Sequence, residues 1–229
     1  MTVNQILVRL ESLGNPKNVA GMARYGIVAR KAFGVSAPAL RTLAKETGHD
    51  HELTLKLWAT EIFDARILAA FIDDPKLTTE AQMEQWVRGF DNWAICDGAC
   101  IHLFRKTPFA WKKAVAWSKR KEEFVKRAGF ALMATLAVHD KEADNKKFLR
   151  LLPIIKRAST DGRNGVKKGV NWALRQIGKR NTALNESAIQ TAKEIKKIES
   201  PAARWIAGDA LRELQSHNVQ HRLKKKANT

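Results

Sequence analysis

The stretch FDNWAICDGAC, residues 90–100, sets Trp93 and Asp97 four positions apart. On a helix, residues at that spacing lie on one face, so an indole ring and a carboxylate stand side by side. Both favour positive charge next to them, the carboxylate through its own charge and the ring through its electron-rich face. The ring also shields the carboxylate from bulk water, where its field would be diluted. The pair stacks a large ring beside a carboxylate. It is out of keeping with its chain, in which 41 Lys and Arg face 23 Asp and Glu and the formal net charge is +18. The bland alternative is that Asp91 caps a helix, Trp93 and Cys96 belong to its apolar face, and Asp97 is a solvated surface charge.

The charge excess narrows the partners. A mild imbalance would mean little, but this one implies a polyanion: DNA, RNA or an anionic membrane face. No apolar run reaches about 18 residues, so no membrane span is expected. The opening MTVNQILVRLESLG is amphipathic and lacks the pattern of a cleaved leader, so a cytoplasmic location is expected, nucleoid-associated in a bacterium. Cys96 and Cys100 are the only cysteines. Two thiols make a poor zinc site, which needs four ligands, so they read as free buried thiols and no metal is expected. The six histidines are scattered, and no phosphate-loop, dinucleotide-binding or Ser/His/Asp pattern appears. No cofactor is expected.

The elements that must carry these residues are helices. Ala, Leu, Lys, Arg and Glu dominate, and the apolar positions recur with a period near 3.6. Helices are expected at about 3–13, 16–25, 36–48, 50–58, 61–73, 79–88, 92–105, 108–119, 122–138, 144–158, 164–178, 184–197 and 201–215. Asn15-Pro16 marks one start, and Ser36 with Gly48 brackets another. The loops are short, so residues 1–217 read as one all-α domain, with 218–229 a basic, disordered tail. Internal echoes appear among DARILAAFI (64–72), KRAGFALMATLAV (126–138), KKGVNWALRQIGK (167–179) and AARWIAGDALREL (202–214). The last three begin roughly 40 residues apart, the spacing of HEAT-type helix pairs, of which about six would fit. Arg127 and Trp172 open two of these inner helices and could face the same groove as Trp93 and Asp97. Arg41, Lys167, Lys168, Arg175 and Arg204 are candidates for phosphate contact. Trp58, Trp86, Trp111, Trp117 and Trp205 read as packing residues.

The segments RYGI (24–27), FGVSAPALR (33–41), EIFDARILAAFIDDP (61–75), QWVRGFDNWAICDGAC (85–100), KRAGFALMATLA (126–137) and NWALRQIGKRN (171–181) resemble the AlkD-like DNA alkylation-repair glycosylases. The resemblance covers about residues 5–215. It implies a HEAT-like helical-repeat solenoid with a basic concave groove for duplex DNA that contains alkylated bases, acting as a monomer with no obligate protein partner. It also implies an active group of Trp93, Asp97, Arg127 and Trp172. Tyr25 sits where the family often has an aromatic residue, a candidate for DNA contact. The family grips the backbone and leaves the lesion exposed.

The implied reaction is hydrolysis of an N-glycosidic bond through an oxocarbenium-like sugar. Ordinary glycosidases use two carboxylates, one to protonate the leaving group. A purine alkylated at N3 or N7 is already cationic and leaves as a neutral base, so one carboxylate suffices. Asp97 would stabilise the sugar cation and orient water, Trp93 and Trp172 would pack on the deoxyribose, and Arg127 would hold a phosphate. Two rivals stand beside this reading: a non-catalytic HEAT-like protein for damaged or branched DNA, and a helical scaffold for an acidic protein.

Overall fold

In a computed structural model residues 1–227 are described, and among them every regular element is helical. In chain order these are α1 (Val3–Ser12), α2 (Pro16–Met22), a 3-10 turn (Ala23–Tyr25), α3 (Ala37–Thr47), α4 (His51–Ala59), α5 (Phe63–Ile72), α6 (Glu80–Arg88), α7 (Trp93–His102), a 3-10 turn (Phe104–Lys106) and α8 (Ala110–Trp117). There follow α9 (Glu123–His139), α10 (Asn145–Leu149), α11 (Leu152–Ala158), α12 (Asn164–Gly178), α13 (Thr182–Lys196), α14 (Pro201–Leu214) and α15 (His217–Ala227). Capping side chains set most starts. Thr2, Asn15, Ser36, Asp50, Thr79, Asn92, Asp144, Asn181 and Ser200 each accept a bond from a backbone N–H of the following turn.

The expected helices are present, with two differences. The segment 144–158 is two helices, because Pro153 has no N–H to give and its ring would strike the carbonyl four residues back. The tail expected from residue 218 is instead helix α15. Val219 and Leu223 are buried, and the Gln220 amide donates to the Leu214 carbonyl at 2.7 Å and to Asn185 Oδ1 at 3.0 Å. The end of that tail, Asn228 and Thr229, lies outside the described residues.

Contacts cluster the span into two compact units, residues 1–109 and Ala110 onward. In the first, α3, α5 and α7 lie side by side, with α1 and α4 packed on α5. Trp58 of α4 stacks on Trp86 of α6, ring centroids 3.9 Å apart and 3° from parallel. The Arg66 guanidinium lies 5.0 Å from the Trp58 ring and donates to the carbonyls of Trp58 and Gly89. It therefore steadies the turn that leads into α7.

Two residues before Arg66, the fully buried Asp64 carboxylate accepts the backbone N–H groups of Phe33, Gly34 and Val35 at 2.6, 3.3 and 2.8 Å. The loop between Tyr25 and α3 is further tied by Phe63 N–H to the Lys31 carbonyl and by the Asn18 amide to the Gly34 carbonyl. Gly34 has φ 77°, and a Cβ there would lie 2.5 Å from the Asn15 carbonyl oxygen. Only glycine fits that turn.

In the second unit α9, α12 and α14 form a row, with α8 against α9 and α13 against α12 and α14. These three inner helices are the last three echoing segments of the sequence. Polar bonds join equivalent positions of successive repeats: Arg127 to the Gly165 carbonyl, Asn171 to Asp209 and Arg175 to Glu213 are each 38 residues apart. That near-constant separation is the repeat made physical. Helix α9 is buried along nearly its whole length, as an apolar helix with no polar stripe must be.

Gly129 lets α9 approach the end of α8. A Cβ there would lie 2.4 Å from the Ser118 amide nitrogen and 2.9 Å from the Ala114 carbonyl oxygen, both backbone atoms that cannot swing away. Gly129→Ala gains up to about 1 kcal/mol of helix propensity. Overpacking against fixed backbone costs about 1–3 kcal/mol. A net loss of about 1–2 kcal/mol is expected in urea unfolding. Gly208→Ala in α14, where an added Cβ meets nothing within 4 Å, should be neutral or stabilising.

Candidate functional site

The carboxylate–indole pair is placed by the start of α7. Asn92 is the cap, its Oδ1 accepting from the N–H groups of Ala94 and Ile95 at 3.0 and 3.1 Å. Asp91, the cap in the bland alternative, instead accepts from the Asn92 side-chain amide at 2.7 Å and so orients it. Asn92 stands next to the first helical residue and reaches the free N–H groups, whereas Asp91 is one residue too far back.

Trp93 is therefore the first residue of α7. It is 37% exposed, and its Nε1–H donates to the Tyr25 carbonyl at 2.8 Å. One turn later, Asp97 is half-buried on the same face, while Cys96 and Cys100 are buried thiols outside any disulfide. Tyr25 ends a 3-10 turn closed by left-handed Gly26. Its backbone holds the indole, and its ring, 73% exposed, is left to solvent. Arg41 is exposed on α3 and, with Lys45, His49, Phe71 and His102, lines a shallow depression of about 380 Å3.

In the C-terminal unit Arg127 is only 6% exposed, and its Nη1 donates to the Gly165 carbonyl at 2.7 Å. Glu123 Oε1 accepts the Gly165 N–H at 2.8 Å, so one turn of α9 holds both backbone groups of the second residue of α12. Lys126 and Arg163 converge on Asp161, at 2.9 and 2.7 Å. The Arg163 hydrogen bond, then Lys126, holds the Asp161 carboxyl well below the usual carboxylate range.

Trp172 is half-buried in α12, one turn after the exposed Lys168. Lys167 lies 4.9 Å over the Trp205 ring, and Arg204 is exposed beside it. Trp205, expected as a core or repeat-packing residue, is not in the core: it is 42% exposed on the outer face of α14, while Ala202, Ala203, Ile206 and Ala207 take the buried face, and its ring meets Lys167 of the preceding repeat. Arg175 is not a freely solvated cation. It pairs with Asp209 and Glu213, and Lys179 shares Glu213. Burial pushes the Asp209 carboxyl up, but bonds from Asn171 and Arg212 and the Arg175 charge outweigh it and hold the group below its ordinary value.

Sequence reasoning passed over Asp64 and Arg66. Their signal was present, since a charged pair inside an otherwise apolar helix must be satisfied internally. Among the described residues no group of three or more His, Cys, Asp or Glu could hold a metal ion.

A family model described as DNA alkylation repair enzyme matches residues 6–214. A solved structure from a family of proteins related to the HEAT-like repeat DNA glycosylases, with affinity for branched DNA structures, superposes with a TM-score of 0.79. It is 22% identical and the match covers 97% of this chain and 96% of that one, so the fold is the HEAT-like helical-repeat fold. A designed armadillo repeat protein in complex with the peptide (KR)4 matches with a TM-score of 0.39 and 16% identity, over 83% of this chain and 80% of that one. A search of curated proteins finds no match.

The indole–carbonyl bond should restrain the segment that Tyr25 begins. Trp93→Phe keeps a ring and removes the donor, a loss of about 1 kcal/mol. Arg24 and Arg30 are exposed. Trypsin cleavage after them should accelerate by about fivefold if opening of this segment limits it. Unchanged cleavage would mean that the bond does not hold the segment.

Proposed function

Because the chain belongs to the DNA alkylation repair enzyme family, we propose that it is a DNA glycosylase releasing cationic N3- or N7-alkylated purines from duplex DNA. The observation that carries this is the Trp93–Asp97 pair on one face of α7, in a chain with a formal net charge of +18. A carboxylate weakens the binding of a polyanion and is chemically useful where positive charge develops beside it.

In this reading Asp97 stabilises the oxocarbenium-like sugar and orients the attacking water. Trp93 packs on the deoxyribose and excludes solvent. Trp172 is assigned the same packing role, and Arg127 the holding of a phosphate. Lys167, Lys168, Arg204 and Arg41 add sequence-independent attraction to the backbone. The positive charge on the lesion replaces the general acid, so the chain's lack of an assigned second carboxylate is chemically consistent. The protein works as a monomer and without a cofactor.

The second reading is a protein that binds branched DNA and performs no base chemistry. It is favoured by the affinity of the structurally similar relative for such DNA. Base release separates the two.

Asp97→Asn keeps the shape of the side chain and removes its charge. Release of 7-methylguanine or 3-methyladenine from methylated duplex should fall by at least about 100-fold, roughly 2.7 kcal/mol of transition-state stabilisation. Affinity for duplex should hold or rise. Chromatography of the freed bases reads the first quantity and titration of labelled duplex the second. A wild-type protein that binds duplex but frees no base selects the branched-DNA reading.

A further inference from the structure

The C-terminal unit contains a second cationic feature, apart from the residues assigned above. A cleft of about 350 Å3 lies where the ends of α9 and α12 meet α15, and it is lined by Lys141, Lys179, Arg180, Arg222 and Lys226 together with Gln176. No carboxylate is among the lining residues. Two acidic groups act on lining residues, Asp140 on Arg180 and Glu213 on Lys179. Asp140 accepts from Trp111 and from the Ala143 N–H and faces Arg180, while Glu213 is shared by Lys179 and Arg175.

A structural role accounts for part of this charge. The C-terminal ends of helices expose carbonyls that favour cations. Arg180 donates to the carbonyls of Ala137, Lys141 and Ala143, and Lys141 to that of Val138. Arg222 and Lys226 are not explained in this way. Both are exposed on α15, and among the described residues neither has a carboxylate partner. The repulsion is felt at Lys226, whose ammonium is lowered below its ordinary value by partial desolvation, then by Arg222, Lys141 and Arg180. Cations gathered against their own repulsion mark a place where an anion is missing.

The position selects the anion. Gln176 follows Trp172 by one turn of α12, so the two share a face and lie about 6 Å apart along the helix axis. A strand passing Trp172 along α12 reaches the cleft next. We propose that the Arg222–Lys226–Arg180 cleft is a phosphate subsite for the backbone of a bound DNA strand, flanking Trp172. The proposal rests on the DNA-binding part of the function above and not on the base chemistry.

The test is a salt titration of undamaged duplex binding by the full chain. Arg222→Ala/Lys226→Ala removes two exposed side chains, and far-UV circular dichroism and the thermal midpoint confirm folding. If the cleft holds one phosphate, the log–log slope of affinity against salt becomes shallower by about one, and affinity at 0.1 M salt falls roughly eightfold. The charge-conserving exchange Arg222→Lys/Lys226→Arg should restore both. An unchanged slope in the folded alanine variant overturns the proposal, as does binding lost without a change in slope. The outcome is separable from the function above. A shallower slope in a protein that frees no base leaves the subsite standing and removes the glycosylase. An unchanged slope with base release lost in Asp97→Asn does the reverse.

Discussion

A buried carboxylate that meets no counter-charge among the described residues organises the N-terminal unit. Asp64 is removed from water and compensated by three backbone N–H groups of a single loop. An ionised group in that setting costs several kcal/mol if any donor withdraws. The loop is therefore held in one conformation, and with it the chain that begins at Tyr25. The Tyr25 carbonyl in turn receives the Trp93 indole, so the attitude of a ring on α7 traces back to a carboxylate on α5. Arg66, two residues along, performs the complementary task by binding the Gly89 carbonyl ahead of α7.

Positive charge is used in two ways in this chain, and composition alone cannot separate them. Arg66 and Arg175 are engaged with carbonyls or carboxylates of neighbouring elements and are assigned no DNA contact, whereas Arg127 and Arg180 make such bonds and are proposed to meet phosphate as well. Guanidinium suits that work because its rigid fork reaches several acceptors at once and stays ionised when partly buried. Lys168, Arg204 and Arg41 stand on exposed faces. In the proposed function their charges attract the DNA backbone, and they are not needed for packing. A net charge of +18 is thus a sum over two populations with different purposes.

Much of the fold was legible in the sequence because helix starts and stops are local. Asn15-Pro16, Ser36 and Gly48 act on their own turn, and they fall where expected. The division of 144–158 was legible too, since Pro153 was visible, but the helical period continues across it and masked the break. Helix α15 was not legible. Its basic composition resembles a solvated tail, and only the tertiary burial of Val219 and Leu223 decides otherwise. At the candidate site, the spacing of Trp93 and Asp97 needed only the helix period. Tyr25 was picked for its ring, yet its backbone oxygen makes the contact. A contact between residues 68 positions apart leaves no periodic trace in one sequence.

Helix α9 has a consequence for the order in which the C-terminal unit comes apart. Its residues from Val125 to Ala137 are almost all buried, and it is flanked by α8 and α12. Helix α15 rests on two buried side chains, Val219 and Leu223. Local opening free energies follow burial, so amide protons should exchange first along α15 and last along α9. The helix that opens most readily is the terminal one. The unit can lose that helix and keep its centre, a hierarchy of protection written into one chain by the distribution of its apolar residues.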